Sequence, residues 1–358
     1  MPIDLDMLRA LTRTPGIASR EDKVREVVAT YLGPLVDDLS IDALGNLIGH
    51  RKGRKGSGGP RIAIAAHIDE IGFLVRHVDD NGFLRVQRVG GFDPRVLVAQ
   101  RVQVHTRSGT ILPGVFQPAS KPIHLMQPGE AKDLKLEDLF VDLGLAAEAV
   151  KEQVRIGDMV TLDRDLMTVG NTVVSKALDD RLGVYVMIQA VMKAVDSGAE
   201  IFAIATTQEE IGLRGAHASA YSVDPDIAVA LDVTIAGDIP GGSPDAHVTK
   251  LGAGTAIKIL DSSQIANPMI VDHLRDLAEE HGIPHQLEIL PFGGTDAGAF
   301  QTSRGGMATS TISIPTRYVH TVNEMAHVDD IQASVDLLTV FLNAAGSRSY
   351  AYTLGGNS

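Results

Sequence analysis

Four predicted strands constrain the fold of this chain more than any other feature. They cover residues 61–66, 201–205, 227–231 and 307–314; the first three are almost continuous apolar runs, and the fourth carries Thr and Ser among its apolar residues. Runs of this length without polar alternation are typical of strands that are buried on both faces of a parallel sheet. Helical periodicity lies between them over residues 182–195 and 269–280 and follows the last of them over residues 331–342, and residues 41–48 predict one more strand. The pattern therefore predicts an α/β fold.

Residues 72–169 show a different sequence pattern, that of short strands joined by turns. Phe73–Val75 and Phe83–Val86 flank the sequence Asp80, Asn81, Gly82, which is typical of a hairpin turn. Residues 101–105 alternate apolar and polar side chains, and this alternation indicates a strand. We predict a β-rich module inserted into the α/β domain, with one helix near residues 137–151.

These patterns divide the chain into consecutive parts. The predicted division is 1–71 for the first part of the α/β domain, 72–169 for the insert, 170–346 for the second part and 347–358 for a flexible tail. The tail is rich in Gly, Ser and Asn, and such ends are seldom held in a fold.

Ionisable side chains follow the apolar runs at the predicted carboxyl ends of the strands, and one pair precedes a helix. These groups are His67, Asp69, Glu70, Asp179, Asp180, Glu209, Glu210, Asp232 and His320. In open α/β sheets the ligand crevice lies outside the carboxyl ends of the strands. We therefore expect these side chains to converge there, because charged groups beside buried strands need partners.

The residue types favour a pair of metal ions. The chain has no Cys, so metal ligands must be His, Asp or Glu, which suit zinc, cobalt or manganese. Two adjacent metals need a bridging carboxylate and further ligands on each side. His67, Asp179, Glu210, Asp232 and His320 could fill these places.

Two acidic residues remain beside this set. Glu209 can face the substrate water while Glu210 binds metal. Asp69 follows His67 by two positions, which places both on one face of a strand, so its carboxylate could orient the imidazole. Singly, these groups have ordinary explanations: a solvated Glu-Glu loop, or an Asp179–Asp180 helix cap.

Composition and the remaining motifs exclude other classes. A formal charge of −13 argues against a nucleic-acid partner. The chain contains no apolar run of about 18 residues, so no membrane partner is expected, and its acidic start without a signal region indicates a cytoplasmic location. The Gly-rich segment 292–298 lacks the P-loop Lys and the dinucleotide spacing. It could approach a substrate closely through Gly294, Thr295 and Asp296.

Six motifs resemble those of the M42 metallo-aminopeptidases, the group of glutamyl and tetrahedral (TET) aminopeptidases, some once labelled endoglucanases. They are Ala66–Gly72, Lys176–Arg181, Thr207–Gly212, Ala230–Asp232, Gly293–Ala297 and Arg317–His320. The resemblance implies a three-layer α/β/α domain that binds two metals, a small β-barrel-like dimerisation domain in the insert, and a dodecamer built from dimers.

The resemblance also implies a role for each site residue. His67 and Asp232 would hold one metal, Glu210 and His320 the other, and Asp179 would bridge them. The choice of Asp179 over Asp180 comes from similarity alone. Glu209 would be the general base and Asp69 the orienting group.

The resulting hypothesis is a metal-dependent aminopeptidase that removes N-terminal amino acids from peptides, with zinc, cobalt or manganese as cofactor. One alternative is an endoglucanase-like glycosidase, which needs two carboxylates but leaves His67 and His320 without a purpose. Another is a non-catalytic peptide-binding assembly on the same scaffold. The preferred N-terminal residue is left open.

Overall fold

The computed structural model describes residues 3–53, 58–121, 123–125, 133–242 and 247–354. Within these ranges the α-helices are α1 (Leu5–Arg13), α2 (Asp22–Leu32), α3 (Ala147–Gln153), α4 (Leu178–Lys193), α5 (Arg214–Val223), α6 (Pro268–Glu280), α7 (Asp296–Gln301) and α8 (Val328–Ala344).

The strands of the same ranges fall into a large sheet and a barrel. Those of the large sheet are β1 (Asp38–Ile41), β2 (Leu47–Arg51), β3 (Arg61–His67), β10 (Met167–Val169), β11 (Thr172–Ser175), β12 (Glu200–Thr206), β13 (Ile227–Ile235), β14 (Thr255–Leu260), β15 (His285–Ile289), β16 (Ala308–Arg317) and β17 (Glu324–His327). Those of the barrel are β4 (Gly72–Val78), β5 (Leu84–Val89), β6 (Arg101–His105), β7 (Ile111–Pro118), β8 (Leu139–Asp142) and β9 (Met159–Leu162).

The four predicted strands form the centre of the large sheet, in the order β12, β3, β13, β16. All three neighbouring pairs are parallel, with Ala203 opposite Ile64, Ile64 opposite Val229, and Val229 opposite Ser310. Parallel strands place their carboxyl ends at one edge of the sheet. The predicted strands at this centre are confirmed.

Helices cover both faces of the sheet. Ile62, Ile64 and Ala66 of β3 belong to a core shared with α1, α2, α4, α6 and α8, whereas Ala63 and Ala65 pack with α5 and α7 on the other face. Side chains of a strand alternate between faces, so a strand apolar at every position is buried from both sides. The expected three-layer α/β/α architecture is confirmed.

The strand predicted over residues 41–48 is wrong as a single element. The structure has an antiparallel hairpin instead, with β1 paired to β2. The turn between them depends on Asp42, whose Oδ1 accepts the backbone N–H groups of Leu44 at 2.9 Å and Asn46 at 3.1 Å. Such Asx turns reverse the chain between strands, and the apolar pattern alone did not reveal one here.

The inserted segment forms a closed barrel of β4, β5, β8, β7, β6 and β9. Its core contains Phe73, Val104, Phe116 and Val160, which the strand alternation points inward. The predicted hairpin is present as β4 and β5, paired antiparallel. The helix expected near 137–151 is shorter, because β8 occupies its first part and α3 begins at Ala147.

Two further features bear on the predicted division of the chain. β10 lies inside the range 72–169 but pairs with β11 in the large sheet. The division into domains stays a prediction. Among the described residues, no helix combines the length and apolar character needed to cross a membrane.

Candidate metal centre

Six of the nine ionisable side chains meet at the carboxyl edge of the parallel strands, where they line a cavity of about 480 Å³, here called the site cavity. His67 is the last residue of β3, Glu209 and Glu210 follow β12, and Asp232 lies in β13. Asp179 lies at the start of α4, and His320 follows β16. The structure therefore brings together the six residues assigned to metal binding and proton transfer.

Asp179 lies between the two histidines. Its Oδ1 is 3.1 Å from Nε2 of His67, and its Oδ2 is 3.2 Å from Nε2 of His320. Two ligand groups share it: His67, Asp179 and Asp232 form one, and Asp179, Glu210 and His320 form the other. Within each group the ligand atoms lie within 4.8 Å of one another. This is the arrangement that a carboxylate bridging two metals requires.

The charge balance of the site fits two divalent cations. Burial raises the pKa of Asp232 well above its usual value, and the nearby Asp179 raises it further. Burial likewise raises the pKa of Glu210, and its Oε1 has no hydrogen-bond partner among the described residues. Buried carboxylates are costly without compensating charge. Hard carboxylate oxygens together with imidazole nitrogens would supply suitable ligands for zinc, cobalt or manganese.

The surrounding carboxylates also raise the pKa of the two histidines. Burial disfavours the charged imidazole of His320, but Asp179 and Glu210 outweigh this effect and raise its pKa to about 12. Burial also opposes the charged form of His67, whereas Glu209 and Asp179 raise its pKa well above the usual value. The cavity thus stabilises positive charge between these side chains.

Asp69 contacts His67 and the two glutamates through both its carbonyl and its carboxylate. The strand ends at His67, so Asp69 does not continue it. The backbone carbonyl of Asp69 lies 3.0 Å from Nδ1 of His67, and because a carbonyl only accepts, Nδ1 carries the hydrogen and Nε2 is left for a metal. The Asp69 carboxylate also lies beside the imidazole, with Oδ1 3.6 Å from Nδ1 of His67, and it accepts the backbone N–H groups of Glu209 at 3.0 Å and Glu210 at 3.2 Å.

Asp180 does not line the cavity. Its Oδ1 accepts the backbone N–H of Gly183 at 2.9 Å, and its Oδ2 accepts that of His67 at 3.2 Å. Both oxygens are therefore occupied inside the protein. Geometry favours Asp179 over Asp180 as the shared ligand.

The structure separates the three residues assigned to substrate binding. Gly294 lines the site cavity. Thr295 and Asp296 do not, since they are 1% and 2% exposed and their side chains bond to Thr311 and Thr206. Of these three residues, only Gly294 is placed to contact a ligand in the site cavity.

Sequence reasoning missed two contributions to the site. Glu324 is buried and contacts the backbone of two candidate ligands. Its position four residues after His320 was the only signal in the sequence. The apolar wall of the cavity was also missed, because its residues, Leu213, Ile235, Leu290, Phe292 and Val319, come from separate segments.

Comparison with known proteins now places the chain in a family. The family description for M42 glutamyl aminopeptidases matches residues 45–337. The chain belongs to the M42 family. The resemblance carried by the six motifs is therefore confirmed.

Individual M42 relatives match over almost their whole length. The aminopeptidase APDkam598 from Desulfurococcus kamchatkensis has 40% identity and a TM-score of 0.91, covering 95% of this chain and 94% of its own. The lysyl aminopeptidase of Pyrococcus furiosus is 33% identical, over 95% of this chain and 97% of its own. The TET1 peptidase of Pyrococcus horikoshii has 33% identity and a TM-score of 0.84, covering 94% and 98%.

Membership of the M42 family makes this chain a metal-dependent aminopeptidase, a hydrolase of peptide bonds at the N-terminus. The glycosidase and the non-catalytic alternatives are not favoured. The His and carboxylate groups that led to the hypothesis lie together in one cavity.

Proposed function

We propose that each chain uses two divalent cations, held by His67 and Asp232 on one side and by Glu210 and His320 on the other, with Asp179 shared. The sharing of Asp179 by both ligand groups carries this proposal. Two such cations would lower the pKa of a water molecule and polarise the carbonyl of the scissile bond. Zinc or cobalt is favoured, and manganese also suits this ligand set.

Glu209 acts as the general base in this proposal. Its side chain lines the site cavity but belongs to neither ligand group. The Oε2 atom is 3.9 Å from Nε2 of His67, so it lies beside the ligands rather than among them. Glu209 takes a proton from the attacking water and passes it to the leaving amine. Asp69 fixes the backbone of Glu209 and Glu210 and thereby sets the positions of both carboxylates.

The proposed assembly is a dodecamer built from dimers, with the barrel as the dimerisation domain. The P. horikoshii TET1 peptidase is described as assembling into a tetrahedron or a large octahedral shell, and another TET1 structure is described as a dodecamer. Light scattering on the purified protein should give twelve times the chain mass of 38.0 kDa. A mass of two chains would contradict the dodecamer and would still agree with a dimer formed through the barrel. The cytoplasmic location stays a prediction.

The decisive experiment measures amino-acid release from a peptide with a free N-terminus, before and after metal removal. We expect chelation to abolish release and added zinc or cobalt to restore it. An N-acetylated copy of the same peptide is the matched control and should be resistant. Release that persists after both metals are removed would contradict the proposal, and metal-independent cleavage of a β-glucan would favour the glycosidase.

A further inference from the structure

The site cavity has one charged side and one apolar side. Among the described residues, the charged side chains lining it are the five candidate metal ligands and Glu209. The rest of the lining includes Leu213, Ile235, Leu290, Phe292 and Val319, five apolar side chains from loops and strands around the cavity mouth. These side chains are all partly or largely exposed, so a ligand would cover them.

Charged residues that are close in sequence to this apolar side are paired inside the protein. Thr234 lines the cavity and donates its hydroxyl hydrogen to Glu288. Glu288 is in turn 2.9 Å from Nζ of Lys258, and both side chains are fully buried. Arg317, two residues before Val319, pairs with Asp238 at 2.6 Å. None of these four charged residues lines the cavity.

We propose that the cavity selects peptides whose N-terminal residue has an uncharged, apolar side chain of the size of Leu, Met or Phe. This inference rests on the proposed function, which places the scissile bond at the metal ligands. The side chain of the substrate's N-terminal residue would then lie against the apolar wall, which consists of Leu213, Ile235, Leu290, Phe292 and Val319. Burying apolar surface there favours binding by about 25 cal/mol per Å².

The same wall disfavours Lys and Glu at the N-terminus. An ammonium or carboxylate group would leave water for a surface without an opposite charge or hydrogen-bond partner, which is costly. Sites that accept charged side chains supply a partner for them. The preference separates this chain from its relative named lysyl aminopeptidase and from the glutamyl activity in the family description.

A panel of aminoacyl 4-nitroanilides tests the preference directly, with the same metal loading throughout. For the unmodified protein we expect kcat/KM for Leu, Met and Phe substrates to exceed that for Lys and Glu substrates at least tenfold. Highest activity on Lys or Glu would overturn the specificity while leaving the aminopeptidase intact. No hydrolysis of any substrate by the metal-loaded protein would overturn the proposed function and this inference with it.

Ile235→Asp places a negative charge in the wall and should raise the Lys-to-Leu ratio of kcat/KM at least tenfold. Ile235→Asn removes the apolar contact without adding charge, so it should lower Leu hydrolysis and raise the Lys-to-Leu ratio less than Ile235→Asp does. Leu39→Asp is the matched control, since Leu39 is 39% exposed against 43% for Ile235 and lies in β1, away from the cavity. If Ile235→Asp and Leu39→Asp have the same Lys-to-Leu ratio of kcat/KM while their metal content is maintained, Ile235 does not determine the specificity.

Discussion

The carboxylate of Glu324 accepts a hydrogen bond of 3.0 Å from the backbone N–H of Asp179. Its other oxygen accepts the backbone N–H of His320 at 2.8 Å. Glu324 is 1% exposed and belongs to neither ligand group. One buried carboxylate thus fixes the backbone of the shared ligand and of a ligand on the second side.

Glu324→Gln should weaken metal binding without removing a ligand. An amide group offers one acceptor oxygen, so it can hold only one of the two N–H groups and turns its NH₂ toward the other. Loss of such supporting contacts typically lowers metal affinity about 10–100-fold. Titration of the metal-free protein with zinc, followed by calorimetry, measures the change.

Asp330→Asn is the matched control for this substitution. Asp330 is also fully buried, and its carboxylate accepts the backbone N–H groups of Gly252 and Gly254, both at 2.7 Å. It lines no part of the site cavity. The control should lower the melting temperature and leave zinc affinity unchanged. If both variants weaken zinc binding equally, Glu324 has no special positioning role.

Glu209→Gln should retain metal and lose turnover. The amide keeps the size of the side chain but cannot take a proton from water, so we expect kcat to fall about 10²–10⁴-fold. Metal analysis should still find the unmodified content. Glu210→Gln serves as the comparison, because it alters a ligand and should lower the metal content as well. Near-normal turnover of Glu209→Gln would exclude Glu209 as the base.

Asp179→Asn and Asp180→Asn distinguish the two candidates for the bridge. Asp179 belongs to both ligand groups, so its replacement should reduce binding of both metals. Asp180 bonds to backbone N–H groups of Gly183 and His67, so its replacement should lower the melting temperature while both metals are retained. Metal stoichiometry by mass spectrometry of the native protein decides. Retention of both metals by Asp179→Asn would reject the bridge.

The sheet centre and the convergence at its edge could be predicted because both follow from local patterns. An apolar run such as Ile62–Ala66 fixes a strand buried on both faces, and parallel strands bring their carboxyl ends together. His67, Glu209, Glu210 and Asp232 therefore met where the sequence indicated.

Contacts made through the backbone could not be predicted in this way. The Asp69 carbonyl is a main-chain group that holds the His67 imidazole, and the Glu324 carboxylate holds two main-chain N–H groups; no side-chain pattern encodes either contact. The apolar wall joins Leu213, Ile235 and Val319 from three segments, so it exists only after folding. For Asp296 the sequence was misleading. Its place in a Gly-rich motif suggested contact with a substrate, whereas the side chain is buried at the start of α7.

His105 in the barrel should make stability fall on acidification. Burial, followed by the charges of Lys23 and Lys176, lowers its pKa to about 4. Its Nε2 is 2.9 Å from Oγ1 of Thr161, and its Nδ1 is buried without a hydrogen-bond partner among the described residues. The unfolded imidazole has a pKa of about 6.5. Between these values the unfolded chain binds more protons, so the free energy of unfolding decreases as the pH falls from about 6.5 to about 4.

His105→Gln removes this titration and should flatten the loss of stability across the same pH range. Urea unfolding at several pH values, with the metal-depleted form of each protein and the same chelator, isolates the effect from metal release. His281→Gln, at an exposed position after α6, is the matched control and should keep the slope of the unmodified protein. Parallel curves for the unmodified protein and His105→Gln would show that the barrel histidine does not control acid stability.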